Sequence, residues 1–245
     1  MGRRTRMALG AGGAALMLLA MSTGPAQAAI DSAAAPAAAH GCTNTVKMPK
    51  HATTSKLVDT DTDVDGDGRA DTQFYGQQGG HLVYGVKTGA GGVYTVRDTL
   101  KGGRTHSGWT VATDGDGVIS VIDDTQTAKL YAFVGCRFVQ PQHKTGGAYD
   151  FTLGGTSKTG TGVACSDQNG GVILERSTAQ KRSNGRYDIV RSIVRVSSDG
   201  KTAYRQSGSG STEVRWSNLK GSDKRVQQAR GSFCNDVPKV AARTS

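Results

Sequence analysis

From about residue 55 onward, apolar and polar residues alternate in short runs rather than at a helical period. The runs are TQFYG, HLVYGVKT, GVYTVRDTL, GVISVIDD, KLYAFVGCRFV, GVILERS, YDIVRSIVRVS, KTAYRQS and STEVRW. They are rich in β-branched and aromatic residues and are separated by Gly, Asn, Asp and Ser. Turn signals fall about every 8–12 residues, the pattern of an all-β chain. Successive side chains on a strand face opposite ways, so each alternating run offers one apolar face to a core. The segment SNGRYDIVRSIVRVSSDGKTAYRQ predicts a hairpin closed at Asp199-Gly200, a favoured turn pair. Glycine, 35 of 245 residues, is about twice as frequent as usual and fits a turn-rich chain.

The amino terminus follows different rules. MGRRTRM is basic, Ala8 to Met21 is apolar, and Ala26, Gln27 and Ala28 form a small-x-small site. This predicts a signal peptide over 1–28, cleaved after Ala28, and a secreted, extracellular product. The apolar run is shorter than the roughly 20 residues of a spanning helix, so no membrane span is expected. Residues 29–50 read as a low-complexity lead-in, 51–236 as a β-repeat domain and 237–245 as a flexible tail. Cleavage takes Arg3, Arg4 and Arg6 from the 30 basic side chains and no acid from the 20, leaving a net charge of about +7. Such a surface can meet anionic extracellular polymers, but the charges are scattered and mark no specific nucleic-acid site. Cys42, Cys136, Cys165 and Cys234 in an exported chain imply two disulfides, and no close pair has metal-ligand spacing. Of the three connectivities, Cys136 with Cys165 and Cys42 with Cys234 is the expected one. The first closes a short loop, and the second ties the beginning of the fold to its end.

The run DVDGDGRAD carries the clearest chemistry. Asp63, Asp65, Asp67 and Asp71 place four carboxylates within nine residues, and Gly68 lets the backbone turn so that their oxygens converge. Four close anions are costly without a cation, and hard oxygen ligands at this spacing point to one calcium. The carbonyl of Arg69 is the expected backbone ligand. An EF-hand needs a Glu at position 12 and flanking helices; Phe74 stands there, in a strand-like run. The motif recurs about 50 residues on as ATDGDGVIS and again as DQNGGVILE, a period that suits a four-stranded propeller blade. The ligands decay: the second copy offers Ala112, Asp114, Asp116 and Ser120, the third Asp167, Asn169, Gly171 and Glu175.

DVDGDGRADTQFYG resembles the FG-GAP or VCBS-type repeat, in which D-x-D-x-D-G-x-x-D opens a propeller blade. The stretch CRFVQPQHKTGGAYDFTLGGTSKTGTGVACSDQNGGVILERS resembles small secreted actinobacterial proteins that carry this repeat. The similarity covers roughly residues 55 to 216. It implies a calcium-binding, propeller-like all-β domain used for binding, with no defined activity. A small closed propeller, a part-propeller and a rearranged sandwich are all compatible with it, each as a disulfide-stapled array of about 50-residue repeats.

Catalytic patterns are sparse. His40, His51, His81, His106 and His143 are spread along the chain, and there is no G-x-S-x-G, H-E-x-x-H or Walker loop. Glu175 and Glu213 do not stand out from the acidic background, and Trp109 and Trp216 read as core residues. The reading is a secreted, calcium-stabilised binding module for extracellular protein or cell-wall polysaccharide, with no catalytic activity evident in the sequence. The alternative is a secreted hydrolase or an accessory or inhibitor protein of secreted enzymes.

Overall fold

The structure is a computed structural model that describes residues 41–57, 62–101, 105–154, 159–168, 171–234 and 237–243. The expected signal peptide, the lead-in as far as residue 40, Asn169 of the third acidic loop and the last two residues of the expected tail lie outside the described residues.

The alternating runs become strands. β1 (Thr53–Lys56), β2 (Thr72–Gln78), β3 (His81–Lys87) and β4 (Val93–Arg97) form a four-stranded antiparallel meander. β5 (Ser107–Thr113), β6 (Gly117–Asp123), β7 (Thr127–Phe133) and β8 (Phe138–Val139) form a second meander, which β9 (Asp150–Thr152) joins at β7. β10 (Thr159–Gln168), β11 (Gly171–Lys181), β12 (Tyr187–Val196) and β13 (Ala203–Arg205) form a third, to which β14 (Thr212–Leu219) adds beside β12. A short helix, α1 (Lys224–Gln228), precedes β15 (Ser232–Cys234), which lies parallel to β10. β16 (Val240–Ala241) pairs with β5. The described residues thus form an all-β fold in three sheets, none closed into a barrel. The hairpin expected at Asp199-Gly200 is present as β12 and β13.

The sheets stack in chain order. Strand alternation gives the second sheet two apolar faces. Trp109, Val111, Ile119, Val121 and Leu130 pack against Val163, Leu174, Val194 and Val196 of the third sheet. The intervening residues Ile122 and Tyr131 meet Tyr75 and Tyr84 of the first sheet, and Val118 and Phe133 meet Val86. A strand buried on both faces must be apolar at nearly every position, and β6 is buried from Val118 to Asp123. The far face of the third sheet buries Ala179, Tyr187 and Ile189 under Leu219, Val226 and Ala229.

Three expectations change. The bridges are Cys42–Cys136 and Cys165–Cys234, not Cys136 with Cys165 and Cys42 with Cys234. Cys165 and Cys234 are direct partners on the parallel pair β10 and β15, with Cα atoms 4.6 Å apart, so strand register decides the bridge. Residues 41–50, read as lead-in, lie along the first sheet: the Asn44 side chain both donates to and accepts from Val93, and Cys42 is buried. Within the stretch read as a tail, Val240 is buried in β16. Helix α1 was not foreshadowed by any helical period; it is only five residues long, with Asp223 as its N-cap accepting from the Arg225 amide.

Candidate metal centre

The acidic run lies in the connection from β1 to β2, pinned at its ends by the Leu57 amide donating to the Asp71 carbonyl at 3.0 Å. Leu57 and Val64 anchor it in the apolar cluster beneath. Gly66 and Gly68 take φ values of 71° and 76°, the left-handed region where a side chain is disfavoured. Those turns aim the loop's amides inward. The Asp63 carboxylate accepts from Asp65, Gly66 and Asp67 at 3.3, 2.7 and 3.2 Å and from Gly68 at 2.6 Å. The loop therefore winds around the side chain of its first residue.

Two other segments complete the site. The Cys42 amide donates to Asp65 Oδ2 at 2.6 Å. From the turn between β3 and β4, the Gly89 amide donates to Asp71 Oδ1 at 2.8 Å, while Asp71 Oδ2 accepts from Val64 at 2.6 Å. Gly89 is glycine because of this approach: a Cβ there would lie 2.3 Å from the Arg69 Cβ.

One carboxylate oxygen each from Asp63, Asp65 and Asp71 lies within 4.8 Å of the others. Calcium takes oxygens at about 2.3–2.6 Å, so ligands on opposite sides of the ion stand about 5 Å apart. Asp65 and Asp71 are 3% and 1% exposed. Asp65 Oδ1 and Asp67 Oδ2 are buried without a hydrogen-bond partner, and no basic side chain pairs with any of the four aspartates among the described residues. A buried anionic oxygen without a donor costs at least about 1–3 kcal/mol. Burial pushes the Asp71 carboxyl up to about 6, against the pull of the Val64 and Gly89 amides. Burial also raises Asp65, opposed by the Cys42 amide and reinforced by the Asp67 charge. A site that resists ionisation in this way is relieved by a cation.

Of the predicted ligands, Asp63, Asp65 and Asp71 converge. Asp67 is not part of that cluster, although its Oδ2 is buried beside the loop. Arg69 contributes its amide to Asp67 Oδ1 at 2.8 Å and a long contact from its guanidinium to the Gly89 carbonyl at 3.5 Å, and is exposed. Cys42 and Gly89 had no signal in the local motif, because they arrive from other segments.

The second acidic loop is a tight hairpin turn between Thr113 and Gly117, too short to wind around an ion, and the third falls on the antiparallel pair β10 and β11, where Gln168 is the partner of Gly171. Asp116 instead meets the Arg195 guanidinium at 3.4 Å, and the same nitrogen donates to the Asp114 carbonyl at 2.8 Å. Ala112 lies in β5 opposite Val118, and Ser120 lies in β6 opposite Thr110, whose hydroxyl it meets at 2.6 Å. Asp167 is exposed, Gly171 opens β11, and Glu175 is buried in a pair with Arg191 at 2.8 Å, with Ser166 donating at 2.9 Å.

The remaining candidates fall into structural contacts. Trp109 is buried and donates to Ser232 Oγ, and Trp216 packs beneath the Arg191 guanidinium at 4.7 Å. Glu213 pairs with Arg215 at the surface. His106 Nδ1 lies 2.6 Å from Asp98 Oδ2, to which Tyr75 also donates, and the adjacent Ser107 hydroxyl turns to Asp123 at 3.2 Å. Serine and histidine thus serve different carboxylates rather than each other. No helix among the described residues is long and apolar enough to cross a membrane. Comparison with protein-family models, with curated proteins and with solved structures finds no match to this chain.

Proposed function

We propose that the chain is a secreted, calcium-stabilised β module of the FG-GAP or VCBS kind, built as a part-propeller, that binds extracellular protein or cell-wall polymer. The observation that carries the reading is the Asp65 carboxylate: its Oδ1 is buried and unpartnered, and one of its oxygens lies within 4.8 Å of oxygens from Asp63 and Asp71. Calcium suits it better than magnesium, because an all-protein cage of carboxylates on a loop matches calcium's flexible coordination, whereas magnesium holds on to its waters. Asp63, Asp65 and Asp71 would hold the ion, which supplies the positive charge the fold does not. Three consecutive meanders packed face to face support the part-propeller, the two disulfides suit an oxidising compartment, and the basic surplus suits an anionic polymer.

Thermal unfolding in calcium and in chelator tests the site. A ligand present at about 100 times its dissociation constant stabilises by about 2.7 kcal/mol, or about 5–10 °C for a domain of this size. Asp65→Asn abolishes that shift. An unmoved melting temperature in the wild-type protein refutes the calcium clip. Cosedimentation with purified cell walls, with and without their anionic polymers, tests the binding role; recovery of the protein in the soluble fraction from both excludes that partner.

A further inference from the structure

Cys42 belongs to the cation site and to a disulfide at once. Its amide donates to Asp65 Oδ2 at 2.6 Å, and its carbonyl accepts from Thr88 Oγ1 at 2.6 Å. Thr88 opens the turn whose Gly89 amide holds Asp71 at 2.8 Å. Two of the three converging carboxylates are therefore positioned by backbone assembled around residue 42. That backbone precedes β1 and has no strand pairing of its own. Its covalent anchor is the bond from Cys42 to Cys136, in the turn between β7 and β8 of the neighbouring sheet. Cys136 holds φ at 60°, a left-handed conformation that a non-glycine residue keeps only under constraint, and it is partly exposed.

We propose that the Cys42–Cys136 bridge is a redox switch on cation affinity, a proposal that rests on the metal reading of the Asp63, Asp65 and Asp71 cluster. A dithiol reductant attacks the sulfur of the partly exposed Cys136, passes two electrons and two protons to the bridge, and leaves as its own cyclic disulfide. Cys42 and Cys136 become thiols. The segment at residue 42 then loses its tie to the second sheet, and Asp65 Oδ2 loses the donor fixed against it. With both Asp65 oxygens unheld beside Asp63 and Asp71, ordering the cage costs more and the cation binds more weakly. Linkage makes the effect reciprocal: the bound cation favours the oxidised bridge by the same factor. The second bridge is an internal control. Cys165 and Cys234 lie in the core between the second and third sheets, away from the acidic loop.

The test uses the purified protein. Calcium is titrated calorimetrically into the oxidised form, and each bridge is then titrated in dithiothreitol redox buffers with calcium or with chelator, its state read by alkylation and peptide mass spectrometry. Calcium should shift the reductant ratio at half-reduction of Cys42–Cys136 by about tenfold, within the usual range of coupling between sites, and move Cys165–Cys234 by less than about twofold. The Cys42→Ser, Cys136→Ser double variant should bind calcium about tenfold more weakly. Calcium binding with no shift of the first bridge and unchanged affinity in the double variant overturns the switch and leaves the site intact. Equal shifts of both bridges overturn it too, as general stabilisation. No calcium binding to the oxidised protein overturns the site itself, and the switch with it.

Discussion

The first and second acidic loops share the letters Asp-Gly-Asp-Gly and meet opposite fates. Around Asp116, the fold supplies its own cation: Arg195 reaches across from β12, held also by Gln206 at 2.8 Å. Around Asp65, no guanidinium or ammonium arrives among the described residues, and two carboxylate oxygens are left buried and unpartnered. The difference begins in backbone length. A tight hairpin turn presents its carboxylates to the neighbouring strand, where a long side chain can meet them. The longer excursion before β2 folds its carboxylates onto one another. An acidic loop in this protein is thus either met by a guanidinium or left as converging carboxylates that could hold a metal ion, and the local motif does not say which.

The third acidic position, Glu175, extends the comparison, because Arg191 plays there the part that Arg195 plays in the second loop. Removing that cation while leaving the acid buried should have the largest effect. Arg191→Ala is expected to cost about 3–5 kcal/mol, read by denaturant unfolding, as for other broken buried pairs. A loss below about 1 kcal/mol would mean that Glu175 takes up a proton or a water instead.

The first loop should respond to pH in the opposite sense with and without metal. Asp71 titrates near 6 in the folded protein against 3.8 ordinarily, so the folded state binds the proton more tightly than the unfolded chain. That contribution is fully present below pH 3.8 and is lost as pH rises through about 6. Metal-free protein should therefore lose about 3 kcal/mol from this group across that window, while calcium-loaded protein should gain stability through it. Melting curves from pH 4 to 7 in chelator and in calcium check this, and parallel curves would break the contrast.

Arg195→Met converts the second loop towards the condition of the first. Asp116 is left buried without its cation, at an expected cost of about 2 kcal/mol, and adding Asp116→Asn should return most of it. Arg195 is itself partly exposed, which makes this loss smaller than that at Arg191. Gly89→Ala should have the smallest effect, about 1 kcal/mol, by pressing a methyl group against Arg69 and displacing the loop. Its calcium affinity should fall with its stability, and an unchanged affinity would show that the β3–β4 turn does not help to set the cage.

Much of the sheet structure was legible because half-buried strands write period-two alternation into the sequence. β5 and β10 were harder to read, since Gly108, Gly160 and Gly162 interrupt their pattern where other groups press close: a Cβ on Gly108 would strike the Tyr84 ring, and one on Gly162 the Gly231 carbonyl. Asp63, Asp65 and Asp71 were legible as a cluster because their spacing is local. Cys42, Gly89 and the cations Arg191 and Arg195 were not, because each reaches its carboxylate through tertiary packing. The bridges escaped for the same reason, since the pairing of Cys165 with Cys234 follows from the parallel register of two strands far apart in sequence.

β16 gives the folding of this chain a direction. The middle sheet supplies both interfaces of the stack, yet one of its edges is occupied by residues 240–241. A chain emerging amino-terminus first can form its three meanders in turn, each from neighbouring strands. The edge of β5 stays open as a pairing template until Val240 appears, and an open edge invites the wrong strand, including one from a second molecule. Truncation ahead of Val240 should therefore leave the three meanders foldable yet turn the protein towards self-association.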